Sequence, residues 1–301
     1  MKSWQAELSL FFVTFIWGAT FLFTKLALVD CSPSLFLILR LSVALLLSII
    51  FFGKYLKFIT KKYFYQGTLL GILFGVGFLL QTYGLKYTSV SKSAFITGIT
   101  VSITPFVYWL VKRKKVHFWS KIGVVIATIG LYVFTNPQFD SINIGDLLTL
   151  LSTFMWAFYI TFIDEFTKGK TGMALTSILV ILQFFASALL SVITYFIFDY
   201  TESNIHFSNN LLIGLAFNGI MASFVVTFIH TAIQRFSTPV KAALIFSLEP
   251  VIANLTAIFF INEILNFREY LGGFLLLSGV VISEIGGVII RLLKKTGLSK
   301  S

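Results

Sequence analysis

The sequence predicts an all-α polytopic membrane protein with ten transmembrane helices, arranged as two five-helix inverted repeats around a central cavity. The first observation is composition: 57% of the 301 residues are hydrophobic and 12% are charged, whereas a soluble domain carries about 25% charged residues. The second is a series of apolar windows, most of them long enough to cross a bilayer, without the two-residue alternation of an outer-membrane barrel. The third is an internal repeat relating the second half of the chain to the first.

The apolar windows predict ten spans. Their connections hold about ten residues or fewer, so no soluble catalytic or regulatory domain fits between them. The first window is too long for the core of a signal peptide and lacks a small-residue cleavage site, so we expect a retained anchor. The expected spans are residues 7–28, 34–53, 64–86, 90–111, 117–134, 145–163, 173–198, 210–234, 240–261 and 267–290.

The net charge of +11 follows the topology of a membrane protein rather than indicating a nucleic-acid partner. Lys and Arg are concentrated in alternate loops, at residues 54–62, 112–115, 168–170 and 235–241, and in the C-terminal tail. The opposite loops carry mainly Asp and Glu. The positive-inside rule therefore predicts that both termini are cytoplasmic in the cell (inner) membrane. The basic loops could also contact anionic lipid headgroups.

Comparing the chain with itself reveals the repeat. Residues 81–88 match residues 230–237 at an offset of 149, which continues without a gap and pairs Lys92 with Lys241. Residues 14–17 match 153–156 at an offset of 139. The expected halves are residues 1–136 and 137–301. Five spans is an odd number, so the second half begins on the opposite side of the membrane, as in carriers that work by alternating access.

The ninth span carries a carboxylate followed by a proline. If this span enters the bilayer near Val240, a rise of ~1.5 Å per residue places Glu249 about 13 Å deep in a hydrocarbon core ~30 Å thick. An ionisable group there costs at least ~2.5 kcal/mol, so it usually faces a polar pocket, pairs with a cation or carries a proton. Pro250 deprives the Phe246 carbonyl of its intrahelical donor, which predicts a bend. The alternative is a packing kink around a protonated, hydrogen-bonded glutamic acid.

Polar side chains recur at helical spacing on three further spans. Each stripe alone is also typical of helix packing in membranes, because hydroxyls bond their own helix or a neighbour. Together they favour a water-containing cavity at the centre of the protein. The stripes are Thr97, Thr100 and Thr104 on the fourth span, Thr149, Ser152, Trp156 and Tyr159 on the sixth, and Ser223, Thr227 and His230 on the eighth.

Two pairs of equivalent repeat positions add to this site. Gln81 and His230 lie toward the ends of their spans and could gate access to the cavity. Trp17 and Trp156 lie in the middle of their helices and either stack on a substrate or fill core volume. His230 could equally be a hydrogen-bonded structural residue. The predicted substrate cavity comprises Trp17, Thr20, Gln81, Thr97, Thr100, Thr104, Trp156, Tyr159, Ser223, Thr227, His230 and Glu249.

Other notable residues are predicted to support the scaffold. Arg40 lies about 10 Å into the second span, by the same helix rise, and we interpret it as a structural anchor. Glycines repeat every seven residues on the fifth and tenth spans, and such small faces bring helices together in lipid. They indicate either packing within one chain or a homodimer seam. The glycines are Gly123, Gly130, Gly272, Gly279 and Gly286.

Several passages resemble the two EamA-type domains of the drug/metabolite transporter superfamily. They are Trp17 with Gly18, Arg40, residues 81–94, residues 145–146 leading to 156–157, and residues 248–250. The resemblance covers almost the whole chain. It implies a ten-helix carrier exporting amino acids or other small metabolites. It also implies a central cavity lined by spans one, three, four, six, eight and nine. The proton-binding glutamate that four-helix multidrug members carry midway along their first helix has no counterpart here.

The preferred interpretation is thus a secondary transporter that exports small metabolites, with amino acids as the leading class. A lipid-carrier or lipid-linked sugar translocase of related architecture is the alternative, and it would need a lateral opening and a long apolar groove. An enzyme is disfavoured, because the chain has no HExxH, paired-aspartate or Ser/His/Asp constellation. The absence of a GxxxxGK[ST] loop disfavours an ATP-driven pump. The single Cys31 forms no internal disulfide and suggests no metal cluster, and we expect no cofactor.

Overall fold

A computed structural model describes residues 3–135, 142–170, 172–202, 205–261 and 267–295. Within these ranges the chain is helical and contains no strand. The first half contains α1 (Ser3–Ala27), α2 (Pro33–Phe52), α3 (Lys61–Tyr87), α4 (Val90–Gly98), α5 (Thr100–Lys112) and α6 (Phe118–Thr135). A 3₁₀ turn at Gly53–Phe58 follows α2.

The described part of the second half contains seven α-helices, several of them short and joined by irregular turns. They are α7 (Ile144–Thr167), α8 (Met173–Thr194), α9 (Asn209–Leu215), α10 (Val226–Ile233), α11 (Pro239–Phe246), α12 (Glu249–Ile261) and α13 (Phe267–Lys295). A short π-helical turn, Tyr195–Asp199, extends α8, and Tyr200–Glu202 forms a 3₁₀ turn after it. A longer π-helical segment, Ala216–Val225, joins α9 to α10, which ends in the 3₁₀ turn Gln234–Phe236.

The protein is an all-α polytopic membrane protein. Seven helical segments of the described chain are long and apolar enough to cross a membrane. Large apolar side chains such as Phe106, which is 74% exposed, cover the outer surface, as expected where lipid is the solvent. The other three predicted spans fall on α6, on α11 with α12, and on α13, whose apolar stretches Phe118–Phe134 and Tyr270–Ser283 are shorter. Ten crossings therefore remain a prediction.

Two helices are interrupted at equivalent positions. The fourth predicted span breaks at Ile99, whose N–H bonds the carbonyl of Ile96 at 3.1 Å. The ninth breaks at Ser247 and Leu248, where the N–H of Leu248 bonds the carbonyl of Ile245 at 3.2 Å. Helix resumes at Thr100 and at Glu249, and these two residues are separated by the repeat offset of 149.

Helix packing places the first predicted half against the second. α3 packs on α7 and α8, while α1 packs on α9, α10, α12 and the π-helical segment. α5 packs on α7, and α2 packs on both α8 and the π-helical segment. One apolar core lies among α1, α2, α3, α7 and α8. A second lies where α4, α5 and α11 meet α6 and α13.

The glycines of the fifth and tenth predicted spans face each other within one chain. A Cβ placed on Gly123 would lie 2.6 Å from the carbonyl oxygen of Gly279, and one on Gly279 would lie 2.7 Å from that of Gly123. Gly130 and Gly272 are similarly close to backbone of the opposite helix. α6 and α13 thus use these faces for their own contact, and a homodimer through them would require that contact to open. The surroundings of Gly286 lie outside the described side chains.

Candidate functional site

A central, partly open cavity lies between residues of both predicted halves. Its walls come from α1, α3, α4, α5, α7, α11 and α12. Most of the wall is aromatic or aliphatic, and Glu249 supplies its only carboxylate among the described residues. The lining residues are Trp17, Thr20, Phe21, Phe78, Gln81, Thr97, Gly98, Thr100, Trp156, Tyr159, Ile160, Ala243, Phe246, Ser247 and Glu249.

Glu249 is placed by the break between α11 and α12. The N–H of Ile252 bonds the carbonyl of Leu248 at 3.1 Å, so Glu249 is the first residue of α12 and Pro250 the second. Proline is tolerated there because that N–H would have no intrahelical partner in any case. The predicted bend is therefore a full interruption of the helix. An anion in a first helical turn is also favoured by the helix dipole.

The carboxylate of Glu249 has no protein partner in the part of the chain that the structure describes. No hydrogen bond or ion pair joins it to another side chain there, although the residue is 8% exposed. Gly18 helps to place it, because a Cβ there would lie 3.0 Å from the Glu249 carbonyl oxygen and 2.8 Å from Ile252. α1 and α12 can approach this closely only with glycine at that position. The carboxylate is thus held beside α1 and available to a bound solute.

Most hydroxyls of the cavity bond a backbone carbonyl three residues earlier in the chain. Thr20 donates to the carbonyl of Trp17 and Thr100 to that of Thr97, both at 2.6 Å. Gln81 donates from Nε2 to Oγ1 of Thr97 at 2.9 Å and so links α3 to α4. These side chains offer lone pairs to a solute and keep their own protons engaged.

Aromatic rings form the remaining wall. Trp17 donates its indole N–H to the carbonyl of Ala222 at 3.0 Å, and its ring lies 5.2 Å from that of Phe246. Trp156 packs edge-on against Phe78 at 4.8 Å. The buried indole N–H of Trp156 has no partner among the described residues. It is a free donor on a residue that lines the cavity.

Four predicted site residues lie outside the lining. Thr104 is buried and donates to the carbonyl of Thr100 at 2.7 Å. Thr227 is also buried, and its hydroxyl oxygen has no partner in the described chain. His230 is packed edge-on to Trp17 and Phe246, and its Nε2 lies 3.0 Å from Oε1 of Gln234. Ser223 accepts from Nε of Arg40 at 2.8 Å.

The prediction omitted several wall residues. Phe21, Phe78 and Phe246 are three of 35 phenylalanines, so aromatic identity alone did not single them out. Ser247 stands at the helix break, and Gly98 immediately precedes the equivalent break. The repeat offset would have indicated those two positions together. Arg40 was assigned to the scaffold, but it lines a second, narrower cavity beside the main one.

Two ion pairs join the helices of the cavity. Lys92 of α4 lies 2.6 Å from Asp146 of α7, and Lys241 of α11 lies 3.1 Å from Glu7 of α1. The repeat offsets pair Lys92 with Lys241 and Glu7 with Asp146, so each bridge is the counterpart of the other. Asp146 also forms a capping box with Asn143 at the start of α7.

Metal chemistry finds no support in the described residues, where no group of three or more His, Cys, Asp or Glu side chains could hold an ion. A largely apolar cavity between membrane helices, with one carboxylate among its described lining residues, is typical of a solute carrier. The chain belongs to the EamA-like transporter family, whose pattern matches residues 4–136 and again 143–284. This is a family of transporters rather than of enzymes.

Known proteins with similar sequences or folds agree with this class. An uncharacterized transporter of Archaeoglobus fulgidus is 30% identical over 95% of this chain and 87% of its own length. The uncharacterized transporter YoaV of Bacillus subtilis is 22% identical, over 93% of this chain and 96% of its own. One crystal structure covers 97% of this chain and 99% of its own with a TM-score of 0.77. Its identity is 13%, so that likeness is one of fold.

Proposed function

We propose that the protein is a secondary transporter that exports small metabolites, with amino acids as the leading class, by alternating access between two inverted repeats. The observation that carries this proposal is the central cavity between the two halves. Its wall includes the unpartnered carboxylate of Glu249 and the side chain of Trp156, whose indole N–H has no partner in the described chain. Ligand sites of this kind are mostly apolar and carry a few placed polar groups. Glu249 is the group that would bind a substrate amine or carry a proton.

Three features support two five-span halves, residues 1–136 and 137–301. The family pattern matches the chain twice, once in each proposed half. The helix breaks before Thr100 and before Glu249 occupy equivalent positions. The packing is also reciprocal: α3 contacts α7 and α8, and the equivalent segment of the second half contacts α1 and α2. In an inverted repeat, such reciprocity lets one half rock against the other around a fixed site.

The alternation of basic and acidic loops supports the proposed orientation, with both termini cytoplasmic in the cell membrane. The partners of the carrier would then be its small-molecule substrate and the surrounding lipid. The alternative of a lipid or lipid-linked sugar translocase would require a long apolar groove open to the bilayer. A cavity walled by seven helices, with a carboxylate and several hydroxyls among its lining groups, favours a small metabolite instead.

The test is gradient-driven transport by a Glu249→Gln variant in proteoliposomes, measured with labelled amino acids in the presence and absence of a pH gradient. The amide keeps shape and hydrogen bonding but cannot ionise, so the variant should fold and lose gradient-driven transport. Glu165→Gln is the matched control, because Glu165 is exposed on α7 and lies outside the cavity. Normal transport by the Glu249→Gln variant at equal expression would remove this residue from the mechanism.

A further inference from the structure

Arg40 lies in the interior of the helix bundle beside the central cavity. Only 1% of the residue is exposed, and it lines a second, narrower cavity. This space adjoins the central cavity, because Thr20, Phe21, Phe78 and Gln81 line both. The guanidinium group is therefore next to the chamber that holds Glu249.

The guanidinium group has contacts that orient it but no counter-charge. Its Nε donates to the hydroxyl of Ser223 at 2.8 Å, and its Cζ lies 4.2 Å from the centre of the Phe78 ring. Its Nη2 is buried without a hydrogen-bond partner in the described chain. No carboxylate of the described residues forms an ion pair with it. A buried charge normally has a partner because desolvation is costly, so the guanidinium group is suited to receive an anion.

The equivalent position in the other half carries no charge. At an offset of 143, Ser48 of α2 matches Ser191 of α8, and the same offset pairs Arg40 with Gln183. Gln183 is fully buried and bonds the hydroxyl of Tyr159 at 3.2 Å. A neutral side chain of similar reach thus serves at the equivalent place in the other half. The positive charge is specific to the side of the molecule where the second cavity lies.

We propose that Arg40 is an anion-binding subsite of the transport cavity and binds the carboxylate of a zwitterionic solute. This inference rests on the proposed function and names its substrate class: a small solute carrying a carboxylate, an amine and an apolar side chain. Arg40 binds the carboxylate, Glu249 faces the amine, and the aromatic wall accommodates the side chain. Guanidinium is suited to this role because its planar N–H groups bind carboxylate oxygens in pairs.

Ser223 is a positioning residue in this arrangement. Its hydroxyl accepts the hydrogen bond from Nε of Arg40, and Cζ of Arg40 lies over the ring of Phe78. The unpartnered Nη2 is left for the solute. Ser223 lies on the π-helical segment Ala216–Val225, and π-helical turns are frequent at functional sites.

Binding can be measured by tryptophan fluorescence of the purified protein in lipid nanodiscs, since Trp17 and Trp156 line the cavity. The probes are leucine, 4-methylpentanoate, which lacks the amine, and 3-methylbutylamine, which lacks the carboxylate. All three are aliphatic and do not contribute fluorescence of their own. Arg40→Gln should weaken binding of leucine and 4-methylpentanoate about tenfold or more, the scale of a charge-assisted hydrogen bond. Binding of 3-methylbutylamine should not change.

Arg235→Gln is the matched control, because Arg235 binds Thr176 and the carbonyl of Lys170 away from both cavities. It should leave all three affinities unchanged. Equal weakening of all probes by Arg40→Gln would mean a structural role only and would overturn the subsite. So would failure of the wild-type protein to bind either carboxylate probe.

A melting curve of each variant separates folding from binding. If Arg40→Gln does not fold, Arg40→Lys provides the test of the subsite. Lysine keeps the positive charge but cannot form the paired N–H bonds of guanidinium to a carboxylate. Carboxylate binding should then weaken relative to amine binding, and an unchanged ratio would overturn the proposal. The carrier role is tested separately: proteoliposomes that take up none of the probes that bind would contradict the proposed function and leave the subsite standing.

Discussion

At the scale of single residues, the candidate site combines unpartnered polar groups with a place on a cavity wall. Arg40, Trp156 and Glu249 each have polar atoms with no hydrogen bond to the described chain, and each lines one of the two adjoining cavities. Buried polar atoms are normally satisfied. Other unpartnered buried atoms, such as the hydroxyls of Ser32 and Ser177, lie away from both cavities. The position on the wall therefore makes the first three groups available to a solute.

The sequence identified Glu249 because a carboxylate inside an apolar window is recognisable from composition alone. It assigned Arg40 to the scaffold. An arginine in a membrane span either anchors the helix or binds a ligand, and only the residues around it distinguish the two roles. Those neighbours, Ser223 and Phe78, come from distant segments. The hydroxyl stripes of the fourth and eighth spans assumed continuous α-helices, whereas a break at Ile99 interrupts the fourth span and a π-helical segment forms part of the eighth. Which members of a stripe reach the cavity depends on how each helix is rotated.

Cys31 provides a test of the loop between α1 and α2. It is 7% exposed, and burial together with the nearby charges of Asp30 and Asp199 raises the pKa of its thiol to about 12. Only the thiolate reacts with a maleimide, so labelling should be slow near neutral pH and rise about tenfold per pH unit up to the pKa. The measurement is the labelling rate of the wild-type protein as pH is increased.

A cysteine at Val29 in a Cys31→Ser background is the control, because Val29 is 83% exposed. Its labelling should be fast and level off above the ordinary thiol pKa of about 8.5. Equal rates for the two cysteines near neutral pH would show that the loop opens readily in the membrane.

At the scale of elements, apolar windows predicted helix positions well but not interruptions. The predicted span 34–53 corresponds to α2, Pro33–Phe52, and 145–163 falls within α7, Ile144–Thr167. The break at Ile99 was not predicted, because neither Gly98 nor Pro105 marks that residue. The π-helical segment Ala216–Val225 was also missed. Both depend on packing against distant helices rather than on local preference.

The contact between α6 and α13 gives a test at this scale. Gly279→Ala places a methyl group 2.7 Å from the Gly123 carbonyl oxygen and 2.9 Å from the Ala127 nitrogen, both of which are backbone atoms. The helices must move apart, and overpacking of this kind costs about 1–3 kcal/mol. The expected result is a lower thermal midpoint of the purified protein. Gly273→Ala is the control on the same helix, because its methyl group would lie 3.7 Å from the Phe134 ring and should be tolerated.

At the scale of the whole molecule, the paired ion bridges relate structure to the proposed alternating access. Lys92 to Asp146 joins α4 to α7, and Lys241 to Glu7 joins α11 to α1. All four helices contribute to the cavity wall or flank it. The proposed topology puts Lys92 outside and Lys241 inside. Each bridge would then hold the cavity closed on its own side of the membrane.

Breaking one bridge should favour opening on that side. In a Cys31→Ser background with Thr97→Cys as a reporter on the cavity wall, Lys92→Gln should speed labelling by an impermeant thiol reagent from outside in intact cells. Lys241→Gln should speed labelling from inside, measured in inverted vesicles. Partly exposed ion pairs contribute about 0–1 kcal/mol, so rates should change by a few-fold. Because the two substitutions are chemically identical, a general loosening would raise labelling from both sides in both variants. That outcome would contradict the assignment of the bridges to opposite faces, whereas opposite responses would support the inverted repeat and the orientation together.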